Sequence, residues 1–407
     1  MSYELMEARE LVIKAGLTLV ENGLIARTWG NISARISDKQ FVITPSGRDY
    51  HSLIPEDIVV VNIKDCSYEG EIKPSGEVAT HAEVYRQKPD VNFVVHTHQV
   101  YASAISIMGE DVSDSDILGD SITCAKYARC CTDALAKNVK NAIRKNPNSK
   151  ALFLRNHGII SMGCDFDEAF KIADQVEEIC KSKYEFLCQN FISSADTTIE
   201  ADFGTSHREN GYIYLSVGNQ NISWPLGYAK KAHKEDVPKS LRGLAILHDI
   251  IYSDSDINYI SHVVCPNITI MSKLSHGKLK SGFRPYIDDQ AQIAGVDIKK
   301  IALNPKRVGF LNERRIKKAV PDHGAFLVST GGAICFGSTS DDIDALSSVL
   351  EKGCIAAIIA VLIPAIKPLP RKVARHMRDI YRDSYSKLKD NAMTATTLKE
   401  IEAKINQ

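Results

Sequence analysis

The sequence predicts an α/β fold built from two similar domains. Over residues 1–190, stretches with strand patterning alternate with stretches of helical periodicity, which is typical of α/β proteins. A chain of 407 residues also exceeds what one hydrophobic core usually holds. In addition, INYISHVVCPNITIMS (257–272) aligns without a gap with VNFVVHTHQVYASAIS (91–106), which indicates an internal repeat.

The elements of the first domain are predicted from the spacing of apolar residues. In chain order we expect a helix, a strand hairpin with glycine turns, a helix, a strand, a helix, a strand-turn-strand unit and a long amphipathic helix, over residues 2–24, 27–50, 77–90, 91–98, 132–146, 150–163 and 165–190. Asn22-Gly23 is a usual helix stop, and Ser75 is available as the N-cap of the second helix.

A polar, weakly patterned stretch at 192–210, broken by Gly204, marks the boundary between the domains. We predict a first domain over 1–195, a linker over 196–212 and a second domain over 213–407. FLVSTGGAICFG in the second domain echoes FLRNHGIISMG in the first, in the same order as the longer repeat. We expect the second domain to lack a counterpart of the first domain's N-terminal hairpin.

Composition argues against several classes of partner. Fifty basic residues balance fifty acidic ones, so no global field favours nucleic acid or an anionic membrane. The N-terminal residues resemble no signal peptide, and the longest apolar run, 354–366, is too short for a membrane span and contains Pro364. That run predicts a buried helix. Ten scattered cysteines indicate free thiols in a reducing compartment, so we expect a cytoplasmic protein.

Two histidines occupy one face of the predicted strand at 91–98. His96 and His98 are neighbours there because residues i and i+2 of a strand point the same way. They are either buried strand histidines with hydrogen-bond partners or two ligands of one metal ion. RNHG places His157 at a strand end, where it suits a turn role or a third ligand. Three imidazoles with an open position are a usual coordination of catalytic zinc.

Three glycine-containing turns precede these histidines. They offer backbone N–H groups, small hydroxyls, an amide and a lysine, which are the parts of a phosphate cradle, although each turn alone is also ordinary loop chemistry. The residues concerned are Gly30 and Asn31 in TWGNIS, Thr44, Ser46 and Gly47 in TPSG, and Lys73, Ser75 and Gly76 in KPSGE. Glu77 follows, either as a partner of the helix dipole or as a general acid/base beside a metal.

Taken together, the order G-N-x-S, T-P-[ST]-G, P-S-x-E, H-T-H and N-H-G over residues 1–190 resembles the class II aldolase/adducin family. The resemblance implies a three-layer α/β/α fold with a mainly antiparallel central sheet, here tandemly duplicated. It also implies one Zn²⁺ per chain, bound by His96, His98 and His157. Glu77 would be the carboxylate that occupies the open metal position or moves off to act as a base.

The resemblance also implies a substrate. Its phosphate would be held by four turn residues, Asn31, Ser46, Gly47 and Ser75. Thr28 and Gly30 would shape the loop, and Thr44 and Gly76 would complete the pocket. Tyr127 would protonate or polarise the aldehyde oxygen. The implied reaction is reversible cleavage of a ketose 1-phosphate to dihydroxyacetone phosphate and a short aldehyde. A 4-epimerase, dehydratase, decarboxylase or adducin-like scaffold stays an alternative; glutamate in P-S-x-E favours an aldolase, because the epimerases carry aspartate there.

Two departures from the family pattern concern the substrate. Gly76 lacks the hydroxyl that a serine would offer, and ARCCTDAL after Tyr127 lacks the glycine common there.

The second domain is predicted to have no metal site. Val264 replaces His98, Thr330 or Gly331 replaces His157, and Gly243 aligns with Glu77. The resemblance implies fourfold-symmetric oligomers, so two chains of tandem domains would form a pseudo-tetramer or a higher homo-oligomer.

Overall fold

The computed structural model describes residues 2–22, 29–114, 120–230, 237–274, 279 and 281–383. Thr28, one of the predicted pocket residues, lies outside these ranges. The chain divides into two compact units, the first formed by Met1–Leu187 with Asp379–Gln407 and the second by Cys188–Arg378.

The first unit contains an eight-stranded sheet in the order β3-β2-β1-β4-β8-β7-β6-β5. Only the β6–β7 pair is parallel among the described pairs, as expected for a mainly antiparallel sheet. Its strands are β1 Asn31–Arg35, β2 Gln40–Ile43, β3 Val59–Asn62, β4 Phe93–Thr97, β5 Val112–Asp114, β6 Asp120–Ala125, β7 Ala151–Leu154 and β8 Gly158–Gly163. The helices are α1 Leu5–Glu21, α2 Val78–Gln87, α3 Val100–Ser106, α4 Asp133–Lys145 and α5 Phe166–Ser193, which continues past Leu187.

Helices cover both faces of this sheet. On one face, Ala8, Val12 and Leu19 of α1 pack in one apolar cluster with β1, β2 and β4. On the other, α2 and α4 pack in a second apolar cluster with alternate residues of β2, β3, β7 and β8 and with Val94 of β4. Because successive side chains of a strand point to opposite faces, β4 is buried along its whole length. The predicted three-layer α/β/α architecture is therefore confirmed for this unit.

The second unit contains a second eight-stranded sheet, in the order β11-β10-β9-β12-β16-β15-β14-β13. Its strands are β9 Thr205–Glu209, β10 Tyr212–Val217, β11 Gln220–Pro225, β12 Tyr259–Val263, β13 Gly282–Phe283, β14 Ile298–Ile301, β15 Ala325–Val328 and β16 Ala333–Gly337. The helices are α6 Arg242–Ile251, α7 Pro266–Lys273, α8 Asp288–Ile293, α9 Phe310–Ala319, α10 Ser340–Leu362 and α11 Arg371–Asp383, the last of which continues past Arg378. The strand order is that of the first sheet with each strand number raised by eight.

The hairpin that we expected to be missing from the second unit is present as β9 and β10, with β11 in the place of β3, so that prediction was wrong. The proposed linker at 196–212 is also wrong in part, because β9 lies inside it. These strands are hard to recognise from the sequence because one of their faces is exposed. In β10, for example, exposed and buried residues alternate. In the first unit α1 precedes β1 and covers Ile32, which is buried. Among the described residues no helix lies between α5 and β9, and Thr205, which occupies the position of Ile32, is exposed.

The apolar run at 354–366 is correctly predicted as a buried helix in its first half. Residues 354–360 are buried in α10, which ends at Leu362, two residues before Pro364. By length and composition α10 is able to cross a membrane, but 72% of its most apolar window is buried within the fold.

Candidate active site

Three histidines converge at one end of the first sheet. His96 is the next-to-last residue of β4, His98 follows the strand, and His157 lies in the turn between β7 and β8. The Nε2 atom of His96 is 3.0 Å from Nε2 of His98 and 3.2 Å from Nε2 of His157. Pairing of β4 with β8 brings the turn to this position, since His96 lies opposite Ile160.

The donor atoms of this cluster suit a divalent metal ion. Nδ1 of His96 donates a hydrogen bond to the Ile159 carbonyl at 2.7 Å, so its Nε2 directs a lone pair into the cluster. Within the described residues, one ligand atom from each of the three histidines lies within 4.8 Å of the others. Imidazole nitrogens at such spacing fit Zn²⁺ and other ions of its class.

Glu77 completes the cluster. Its Oε2 lies 3.1 Å from His96 Nε2 and its Oε1 lies 3.3 Å from His157 Nε2. The Oε1 atom is buried and has no hydrogen-bond partner of good geometry among the described residues. A buried carboxylate oxygen without a donor is costly unless a cation balances it. The orphaned oxygen and the convergent imidazoles together fit a bound cation.

The pKa of Glu77 reflects this environment. Burial alone would raise it, but the adjacent His96 and His157 and the amide of Asn31 lower the pKa well below its usual value. The carboxyl group is therefore held as a carboxylate.

The start of α2 differs from our prediction in one respect. The helix begins at Val78, so Glu77, and not Ser75, occupies the N-cap position. The Ser75 hydroxyl accepts a weak hydrogen bond from the Glu77 backbone N–H at 3.3 Å. Consequently the Glu77 side chain is outside the first turn of the helix and reaches the histidines.

Two of the predicted phosphate turns lie side by side. Pro45 and Pro74 form an antiparallel bridge, the Ser46 N–H donates to the Lys73 carbonyl, and the Ser75 N–H donates to the Thr44 carbonyl. Gly47 has φ of 69°, in the left-handed region that favours glycine.

The third turn joins them through Thr44, whose hydroxyl accepts from the Ile32 N–H at 3.3 Å. Thr44 therefore has a structural role at least. The residues brought together are Gly30, Asn31, Thr44, Ser46, Gly47, Ser75 and Gly76, and their binding to a phosphate stays a prediction.

The two departures from the family pattern meet in space. A Cβ atom at Gly76 would lie 2.6 Å from Sγ of Cys131 and 3.2 Å from its Cβ, so a larger residue at position 76 would have to displace this thiol. Cys131 itself has φ of 58°, a left-handed conformation that a glycine would adopt without strain. Gly76 therefore packs against Cys131, which lies in the segment ARCCTDAL, and we predict that each residue accommodates the other.

We expect Gly76→Ser to destabilise the protein, because its Cβ would overlap the Cys131 thiol. Adding Cys131→Gly removes the overlap and about 1 kcal/mol of backbone strain, so the double variant is expected to recover most of the melting temperature. Thermal unfolding of both variants measures this. The matched control is Gly76→Ser with Cys130→Gly, because Cys130 has no atom within 4 Å of that Cβ. Equal recovery by the control would contradict the pairing.

Tyr127 follows β6 and is half-buried. Its carbonyl accepts a hydrogen bond from Asn138 Nδ2 at 3.5 Å. The role of its hydroxyl stays a prediction.

Sequence reasoning missed His81, which lies one helical turn after Glu77. The side chain is fully buried and its Nε2 lies 2.5 Å from Asn31 Oδ1. The i, i+4 spacing from Glu77 was the available signal, because residues at that spacing share one face of a helix.

The second unit keeps one histidine of the cluster. His262 lies opposite Ile334 of β16, as His96 lies opposite Ile160, and this register places Gly331, not Thr330, at the position of His157. There His262 Nε2 donates to the Gly331 carbonyl at 2.8 Å. His248 is the counterpart of His81, because each forms a hydrogen bond with a serine through Nδ1. Glu77 lies four residues before His81, and Leu244 lies four residues before His248, so Leu244 matches Glu77. The predicted alignment of Gly243 with Glu77 was therefore wrong by one residue.

Comparison with known proteins identifies the first unit. Residues 10–184 match the Class II Aldolase and Adducin N-terminal domain family. The chain is 33% identical over 186 residues to the 5-deoxy-D-ribulose 1-phosphate aldolase of Bacillus thuringiensis serovar kurstaki, which covers 44% of this chain and 86% of that protein. The chain belongs to the class II aldolase family.

The chain is also similar to two further proteins. The L-fuculose phosphate aldolase of Escherichia coli K12 is 33% identical over 175 residues, covering 42% of this chain and 79% of that protein. A solved structure of L-fuculose 1-phosphate aldolase is 32% identical, covers 46% of this chain and 87% of its own, and gives a TM-score of 0.42. The family match lies wholly within the first unit of this class II aldolase family member.

Proposed function

We propose that the first unit is a zinc-dependent aldolase, which reversibly cleaves a ketose 1-phosphate to dihydroxyacetone phosphate and a short aldehyde. The observation that carries the proposal is the convergence of His96, His98 and His157 on a buried Glu77 carboxylate, beside two hydrogen-bonded turns. The names of the relatives support the substrate class, since they are aldolases of sugar phosphates.

In this proposal the three histidines hold the metal, which when bound stabilises negative charge on the substrate oxygens as a Lewis acid. The turns at 44–47 and 73–76 orient the phosphate and so place the ketone half. In synthesis, the Glu77 carboxylate removes a proton from the carbon that attacks the aldehyde, and the Tyr127 hydroxyl donates a proton to the aldehyde oxygen as the carbon–carbon bond forms. Exchange with solvent then returns Glu77 to the carboxylate and Tyr127 to the neutral phenol, and cleavage is the reverse sequence.

The second unit is proposed to have a structural role, because the positions of His98, His157 and Glu77 carry Val264, Gly331 and Leu244.

We also propose a cytoplasmic homo-oligomer in which two chains form a pseudo-tetramer. A fully active species with the sedimentation mass of one chain would contradict that assembly.

Incubation of the zinc-loaded protein with ketose 1-phosphates is expected to release dihydroxyacetone phosphate. Coupled reduction of this product by a glycerol-phosphate dehydrogenase measures its release, and the chelated protein is the control. Conversion of the ketose phosphate to an epimer, with no carbon–carbon cleavage, would contradict the aldolase and favour an epimerase.

A further inference from the structure

A buried hydrogen-bond chain leads from the Glu77 carboxylate into the core between the sheet and α2. Asn31 Nδ2 donates to Glu77 Oε2 at 3.1 Å, and Asn31 Oδ1 lies 2.5 Å from His81 Nε2. His81 Nδ1 lies 2.6 Å from Ser33 Oγ, which lies 2.8 Å from the hydroxyl of Tyr85. All five side chains are buried.

The chemistry of these groups fixes the direction of each hydrogen bond. An amide oxygen only accepts, so His81 carries its proton on Nε2 and donates it to Asn31. Nδ1 of His81 then accepts from the Ser33 hydroxyl, which in turn accepts from Tyr85. Burial lowers the pKa of His81 to about 3, in agreement with a neutral ring.

The consequence for Asn31 is a fixed amide orientation. With Oδ1 held by His81, the amide N–H₂ group faces Glu77. A rotated amide would instead present its oxygen to the carboxylate, and two acceptors at hydrogen-bond distance repel each other.

The second unit contains the same serine, histidine and tyrosine without the carboxylate. Ser206 Oγ lies 2.7 Å from His248 Nδ1 and 2.8 Å from the Tyr252 hydroxyl. There, however, His248 Nε2 donates to the Phe203 carbonyl at 2.9 Å. Gly204 occupies the position of Asn31. The serine, histidine and tyrosine are therefore a structural element that both units share. In the first unit Asn31 connects this element to the carboxylate of Glu77.

We propose that His81 is a positioning residue, which orients the Asn31 amide so that Glu77 is held against His96 and His157. This inference rests on the proposed function, in which Glu77 moves a proton and lies beside the metal. According to this inference, His81, which lies outside the short motifs quoted above, controls the position of the Glu77 carboxylate.

The test compares His81→Asn, which removes the donor to Asn31, with His81→Gln, whose longer amide reaches the position of Nε2. His248→Asn is the matched control in the second unit. At saturating Zn²⁺ we expect His81→Asn to lower kcat about 10- to 100-fold with little change in KM. His81→Gln is expected to recover most of kcat, and His248→Asn to keep it while losing comparable thermal stability.

A second measurement does not depend on turnover. Zn²⁺ affinity, from competition with a chromophoric chelator, is expected to fall about tenfold in His81→Asn and to stay at the wild-type value in His248→Asn. Equal affinity and kcat in wild type and His81→Asn, or equal losses in the two asparagine variants, would overturn the positioning role. A wild-type protein with no aldolase turnover but with this affinity difference would count against the proposed reaction alone.

Discussion

Replacing His98 with alanine is expected to remove the bound metal and to lower aldol cleavage at least about 10³-fold. Lewis-acid stabilisation is worth several kcal/mol, and about 1.4 kcal/mol changes a rate tenfold. The Nε2 atom of His98 lies 3.0 Å from that of His96, so its removal leaves only two imidazoles to hold the ion. Elemental analysis of the purified protein, beside the turnover assay, measures both losses.

The control for this variant is His262→Ala in the second unit, the counterpart of His96. It is expected to keep metal content and turnover, because Gly331 and Val264 stand at the other ligand positions. About one zinc per chain is expected in the wild type, since one cluster of three ligands occurs in the described residues. Two metals per chain, or metal retained in His98→Ala, would contradict the assignment.

Replacing Glu77 with glutamine is expected to lower kcat about 10²- to 10⁴-fold, the usual contribution of a general acid/base. The amide has the shape of the carboxylate but neither accepts nor delivers a proton at the reacting carbon. Metal is still expected to bind when Zn²⁺ is in excess, because the three imidazoles remain. Single-turnover rates at saturating substrate, with metal content measured in parallel, separate the two effects.

Glu83→Gln is the matched control for Glu77→Gln, because it changes a buried carboxylate on the same helix. Glu83 pairs with Arg86 at 2.6 Å, on a part of α2 that does not contact the histidines through any described hydrogen bond. This variant is expected to lose some thermal stability and to keep kcat. Loss of kcat in Glu83→Gln equal to that in Glu77→Gln would show a general effect on α2 in place of a chemical one.

Much of the first unit was accessible from the sequence because its signals are local. Periodicity located α2, α4 and the β7–β8 hairpin to within a few residues, and the order of short motifs indicated the family. Errors arose where the decisive contact was not local. Ser75 was predicted as the N-cap, for example, because sequence does not reveal that Glu77 is drawn toward His96 and His157.

The second unit was harder to predict because its first three strands are buried on one face only. The alternation of polar and apolar residues there is not pronounced. Only the structure shows that no helix lies between α5 and β9 in the part of the chain that it describes. The same holds for Gly76 and the segment ARCCTDAL, which were noted as separate departures from the family pattern. Their proximity depends on packing of Cys131 against Gly76, 55 residues earlier in the chain, where an added Cβ would lie 2.6 Å from the Cys131 thiol.

The sequence by itself determined the α/β class, the repeat, the family and the side-by-side placement of His96 and His98, since strand periodicity acts over two residues. Only the tertiary structure decided which partners those histidines have. Hydrogen bonding of β4 to β8 brings His157 to them, and packing of α2 on β1 brings Glu77 and His81 to Asn31. Such contacts depend on strand register and helix rotation, which are set by burial of the whole core and not by any local pattern.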